Sequence, residues 1–341
     1  MLDLLERALV LALHIPDGFL SASVSALFWV LTLVCVTFAV RRTNQALDDR
    51  QVPLMGVMAA CIFAAQMLNF PVAGGTSGHV LGGALAAIVL GPAAGILVMT
   101  CVVALQALLF QDGGIVVMGA NIFNMGVLTT LLGGAVFAGL LRLIGRQSKG
   151  LVIAGFAAAW VSVMAAAALT ALQLIASGTA QPQVVLGAML GVHSLIGVGE
   201  GLITAAALSF LLATRPDVLP AAVTDVLSGN ARPVAKGQVL IGGLAIAALL
   251  LLLAPFASAA PDGLERVALD LGFIDGGRGP GAASPAGVLS DYTVPGLAGG
   301  ISTILAGLVG VLIVVALGYG LAILLRRRSA ARSNRSVPSS R

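Results

Sequence analysis

The chain reads as an all-α polytopic membrane bundle, about seven helices followed by a C-terminal two-helix hairpin, and three observations carry that reading. Of its 341 residues 59% are hydrophobic and 9% charged, with a mean hydropathy of +1.06. That leaves too little polar surface to wrap a water-soluble globule. Apolar stretches long enough to cross a hydrocarbon core of about 30 Å, roughly 20 helical residues each, recur between residues 22 and 325. The basic residues fall mostly in alternate connections between those stretches, and so on one side. A spanning segment must satisfy its own backbone hydrogen bonds, so the spans are helices.

Spans are expected at 22–40, 52–70, 79–91, 92–110, 119–144, 151–177, 184–213, 237–258 and 299–325. Leu90, Gly91 and Pro92 mark a tight turn between the third and fourth, and the third is too short to cross upright. With the N-terminus outside, nine crossings place the C-terminus inside, and 15 of the 18 Lys and Arg then lie on the inner face. That satisfies the positive-inside rule; Arg7, Arg266 and Arg278 are the exceptions. A plasma-membrane protein with this orientation displays LHIPDG (13–18), PVAGGTSGH (71–79), FQDGG (110–114) and an acidic loop over 259–298 on its outer face.

The expected organisation is a leader or misassigned start over 1–12, a membrane domain over 13–213 and a polar linker over 214–236. A two-helix module over 237–327 and a disordered basic tail over 328–341, at the lipid headgroups, complete it. Cys35, Cys61 and Cys101 lie singly in apolar runs without CxxC spacing, which points away from disulfides and thiolate metal sites. A net charge of +4 without aromatic interleaving does not describe a nucleic-acid binder. The partner such a surface needs is the lipid bilayer.

Only three histidines occur: His14, His79 and His193. Imidazole suits late first-row metals, and the alternative for His14 or His79 taken alone is a histidine that simply hydrogen-bonds in a loop, the commoner case. In GGTSGH, Thr76 and Ser77 are placed to support a ligand beside His79 through hydrogen bonds, and the alternative is a flexible loop. Asn121 and Asn124, three apart, share a helical face and either orient His79 or satisfy helix ends. His193 and Glu200 lie seven apart on one face of a span. Glu200 is the acidic residue deepest in an apolar stretch, where ionisable groups face a polar interior. Asp112 in FQDGG is a further candidate. The glycines of Gly197–Gly201 lack a preceding strand and read as helix-packing residues, not a dinucleotide loop. Ala22 and Ala26 of SASVSA form a small-residue face for close approach of a helix, within the bundle or from a partner. Neither a Walker A motif nor HExxH is present. The rival classes are an intramembrane metalloenzyme built on His79, His193 and Glu200, and a scaffold whose histidines are structural.

Taken together and in order, LHIPDGFLS, PVAGGTSGHVLGGALAAIVLGP, ALLFQDGGIVVMGANIFNMG and GVHSLIGVGEGLITA resemble the CbiM/NikM family over about residues 13–213. These are the substrate-binding membrane (S) components of energy-coupling factor (ECF) transporters for cobalt and nickel. APDGLERVALDLGF (260–273) and SDYTVPGL (290–297) resemble the PDGLE-type accessory subunit. The resemblance implies a transport subunit and not an enzyme, with Ni²⁺ or Co²⁺ as cargo and no resident cofactor. It implies a membrane coupling subunit and two cytoplasmic ATPases as partners. The implied ligands are the terminal amine of Leu13, the amide and ring of His14, and the ring of His79. Asn121, Asn124, Thr76 and Ser77 stand behind them, and Asp112, His193 and Glu200 are weaker candidates. Five- and six-membered chelate rings would hold amine, amide and imidazole in one plane. A free amine at position 13 conflicts with the preceding MLDLLERALVLA. The expectation is therefore a functional start at residue 13, read as Met from a TTG or CTG initiation codon.

Overall fold

Pro92 and Pro182 each occupy the first turn of a helix, where the missing N–H costs nothing. Gly91 and Gly145 close others in backbone conformations with φ of 81° and 87°. Between such stops the apolar runs of this computed structural model are helical, and it describes residues 14–46, 51–220, 223, 236–273 and 288–335. In chain order they are α1 (Ala22–Ala46), α2 (Gln51–Gln66), α3 (Gly83–Leu90), α4 (Pro92–Phe110), α5 (Met118–Ile144), α6 (Ser148–Ala176) and α7 (Pro182–Thr214). After them come α8 (Lys236–Leu253), a short α9 (Gly263–Asp270) and α10 (Gly300–Arg335). Seven of the described helices are long and apolar enough to cross a membrane. Their outer faces carry Val30, Phe38, Leu143 and Leu249, each more than half exposed, as a lipid-facing surface requires.

Two expected spans are shorter than read. The segment expected over 52–70 leaves the helix at Gln66, and the segment over 79–91 becomes helical only at Gly83. Between them runs an antiparallel pair, β1 (Phe70–Val72) and β2 (Thr76–Gly78), with Pro71 opposite Ser77. GGTSGH is thus the turn and second strand of a hairpin, not a flexible loop. The eight residues of α3 are buried on nearly every side, as expected of a helix without a polar face. Its small residues allow close approach to α5, for a Cβ at Gly133 would lie 2.7 Å from that of Ala84.

The second module lies on the first. Both α8 and α10 pack against α2, and a Cβ at Gly318 would lie 3.3 Å from the Gly56 Cα, a small-residue crossing. The expected outer loop 259–298 contains structure: α9, capped by Asp262 accepting from the Glu265 N–H at 2.7 Å, and a 3₁₀ turn, Ser290–Tyr292. Helix α10 runs to Arg335, past the span end expected at 325. Of the linker, residues 221, 222 and 224–235 lie outside the described residues, as do 1–13 and the end of the tail.

Candidate metal site

Four segments converge at one end of the bundle: the arm before α1, the β-hairpin, the loop between α4 and α5, and the first turn of α9. Two of the adjoining helices carry π-helical turns, Gln106–Phe110 at the end of α4 and Ile122–Leu128 within α5. Such turns recur at functional sites because they re-aim side chains.

The arm is fixed by its own sequence. Asp17 accepts from the N–H groups of Ile115, Val116 and Val117 at 3.0, 2.9 and 3.2 Å. Asn121 grips the next residue along from His14: its Oδ1 accepts from Ile15 N–H and its Nδ2 donates to Ile15 O, both at 3.0 Å. His14 is thereby buried, 2% exposed. Its Nδ1 donates to Asp112 Oδ1 at 2.7 Å, while its Nε2 is buried without a hydrogen-bond partner. Gly113 makes this approach possible: at φ 93° a Cβ there would lie 2.8 Å from that of His14.

His79 enters from the end of β2. Its Nδ1 donates to Val80 O at 3.1 Å, which leaves Nε2 as the basic nitrogen, and its ring centroid lies 5.9 Å from that of His14. His14, His79, Asn121, Asn124, His193 and Asp262 line one cavity. Among the described residues no three His, Cys, Asp or Glu side chains cluster in a metal-holding arrangement. An ion held by His14 and His79 therefore needs further ligands from backbone groups or solvent. Leu13, which would supply the amine, lies outside the described residues. A chelate through the His14 amide closes its six-membered ring on Nδ1, the atom that here donates to Asp112. Capture by that chelate exchanges a hydrogen bond for a metal bond.

The remaining candidates separate by role. Asn124 bonds not to His79 but to Gln173 Oε1 at 2.7 Å and Thr170 Oγ1 at 3.1 Å, tying α5 to α6. Thr76 is buried in β2. Ser77 Oγ donates to Ala260 O at 2.7 Å and its N–H to Pro261 O at 2.8 Å, so it fastens the hairpin to the second module. His193 reaches the cavity with Nδ1 on Met189 O at 2.8 Å. Its ring edge packs on Gly263, where a Cβ would lie 2.9 Å from Nε2. Glu200 lies outside the cavity lining; its oxygens accept from Leu81 and Gly82 N–H at 2.7 and 2.8 Å, at the start of α3. Ala22 and Ala26 are exposed on α1. Gly197, Gly199 and Gly201 receive the rings of Trp160, Phe70 and Phe156.

Asp262 and Tyr292 are absent from the sequence-derived candidates. Asp262 was findable, since Asp followed three residues later by Glu is a helix-start pattern. Burial, and then the neighbouring Glu265 and Asp112 carboxylates, push its carboxyl up to about 7. Tyr292 donates to Asp112 Oδ2 at 2.6 Å, and no local pattern announces that contact. Burial raises the Asp112 carboxyl, but the neighbouring His14 and the hydrogen bonds from His14 and Tyr292 outweigh it, so its value is lowered.

Residues 14–218 match the family model described as the cobalt uptake substrate-specific transmembrane region, CbiM. The chain belongs to the CbiM family. Behind its CbiM region, residues 237–327 match the PDGLE domain. A protein of Archaeoglobus fulgidus named as a fused nickel transport protein, NikMN, is 37% identical over 91% of this chain and 98% of its own length. The cobalt transport protein CbiM of Geobacter sulfurreducens is 31% identical over 72% of each chain. Among solved structures, a truncated transition metal transporter is 32% identical, with a TM-score of 0.52, over 59% of this chain and 98% of that one. That a CbiM region is followed by a PDGLE domain agrees with the two resemblances read from the motifs.

Proposed function

We propose that this CbiM-family chain is the substrate-binding subunit of an ECF-type importer that takes up Ni²⁺ or Co²⁺. The carrying observation is the pair of buried imidazoles, His14 and His79, with ring centroids 5.9 Å apart in one cavity. Each Nδ1 is engaged by a specific acceptor. Asp112 holds His14 Nδ1 at 2.7 Å in the metal-free arm, the bond that a chelate through the His14 amide and Nδ1 exchanges for the ion. The proposed ligands are the rings of His14 and His79, with the His14 amide and the amine of a chain begun at residue 13.

The cavity end is the outer face in this reading. Support comes from the charges: Arg41 and Arg42 lie near the end of α1, Arg142 and Arg146 at the end of α5, Lys149 at the start of α6, Arg215 after α7 and Arg326 towards the end of α10. These are the helix ends away from the site. A membrane coupling subunit and two ATPases supply the energy, and exposed Ala22 and Ala26 are the proposed contact for a partner helix. Nitrogen donors in one plane favour nickel.

Uptake of radiolabelled Ni²⁺ and Co²⁺ in cells carrying the chain with its coupling subunits tests the proposal. Accumulation should require the start at residue 13 and fall to background in His79→Ala. Uptake by a chain that keeps residues 1–12, or by His79→Ala, contradicts the ligand set.

A further inference from the structure

The second module reaches into the first at a point the transport function does not by itself require. Tyr292 is 9% exposed and stacks on Phe110, ring centroids 4.6 Å apart and 16° from parallel. Its hydroxyl accepts from Gln106 Nε2 at 3.1 Å and donates to Asp112 Oδ2 at 2.6 Å. Asp112 uses its other oxygen for His14 Nδ1. The turn bearing Tyr292 is fastened to the end of α4 by the two residues at its start: Leu289 N–H donates to Leu109 O at 3.0 Å and Ser290 Oγ to Gln111 Oε1 at 2.9 Å. Asp291 and Tyr292 both hold left-handed backbone, φ 53° and 54°, which residues with a Cβ keep only where their surroundings enforce it.

From these contacts we infer that Tyr292 is a positioning residue for the metal arm, setting the orientation and tautomer of His14 through Asp112. The chemistry is directional. A carboxylate has two oxygens and rotates about one bond, so fixing Oδ2 with a phenol fixes where Oδ1 points. An acceptor at that place holds the proton of a neutral imidazole on the nitrogen facing it. Burial and the adjacent Asp112 raise the Tyr292 hydroxyl well above its ordinary range, so it stays a donor. The accessory domain then reaches the metal arm, and it secures there the hydrogen bond on His14 Nδ1 that capture by the chelate exchanges for a metal bond. Removing its contact would free the His14 ring without touching a ligand. The inference rests on the proposed function for its relevance to metal capture, but its geometry can be tested without metal.

The test is nitrogen-15 NMR of the imidazoles in the metal-free full chain, comparing wild type, Tyr292→Phe, Asp112→Asn and the double variant. Phe keeps the stack on Phe110 and removes only the hydroxyl. Expected is a single Nδ1-protonated His14 in wild type and an averaged tautomer in Tyr292→Phe, with Tyr292→Phe adding nothing in the Asp112→Asn background. His79 and His193, whose Nδ1 atoms donate to backbone carbonyls, should not move. An unchanged His14 in Tyr292→Phe overturns the inference, as does movement of all three histidines together. Titrating Ni²⁺ into the same samples, in whichever N-terminal form supports uptake, separates the two proposals. Wild type that takes up no Ni²⁺ refutes the metal-binding reading, while the imidazole signals still decide whether Tyr292 positions His14.

Discussion

Residue by residue, the site is built from polar groups whose partners lie far away in sequence. Glu200 illustrates the difference between a chemical and a structural carboxylate. Its place in an apolar span marks it as facing a polar interior, and it does, but what it meets is the unsatisfied N–H groups of Leu81 and Gly82. A helix as short as α3 has no exposed end at which water can satisfy those donors. Glu200→Ala leaves both buried and unpaired and should cost about 3 kcal/mol, read as a lowered Tm of the metal-free protein in detergent. The sequence named His14, His79, Asn121, Asn124 and His193, all of which line the cavity. It mistook the partner of Asn121, because nothing local tells that an amide on α5 will grip Ile15.

At the level of elements, hydrophobic runs bounded by Pro and Gly made the long helices legible, while the segments shaped by tertiary contact were not. An apolar stretch of four to eight residues reads alike as strand, helix or span, so 79–91 conceals both the end of the hairpin and α3. The packing of α3 yields a sharp expectation. A Cβ at Gly83 would run into the Thr129 side chain and stand 3.0 Å from Met125 O, with backbone leaving no room to yield. Gly83→Val should therefore destabilise by about 3 kcal/mol, the upper range for overpacking. A chaotrope titration would show it, and a variant as stable as wild type would mean that α3 and α5 do not meet as described. The segment 259–298 looked like solvent-facing loop because it is polar and rich in Gly and Pro. Its buried parts, the α9 cap and Tyr292, depend on the site they cover.

Over the whole molecule, two modules joined by a polar linker share one site. The first supplies the imidazoles, and the second supplies Asp262 at the cavity wall, Tyr292 behind Asp112 and the backbone carbonyls that Ser77 binds. This union carries a pH signature. Asp262 titrates at about 7 against an ordinary 3.8, so folding favours its protonated form. The stability it leaves intact below about pH 4 is lost as pH rises through about 7. The Tm of wild type should fall relative to Asp262→Asn between pH 5.5 and about 8, with Glu265, Asp112 and His14 the other titratable groups facing the position. Parallel Tm curves for the two proteins would show that the carboxyl is not buried in the assembled molecule.

In the proposed site an ion is held by the two buried imidazoles. X-ray absorption of the protein loaded with one Ni²⁺ measures this most directly, because imidazole rings add characteristic outer-shell scattering to their bound nitrogens. A first shell of nitrogen with two imidazoles, one of them lost in His79→Ala, is the predicted result. A shell of oxygen atoms, or one unchanged by His79→Ala, would rule out a site built on these two imidazoles.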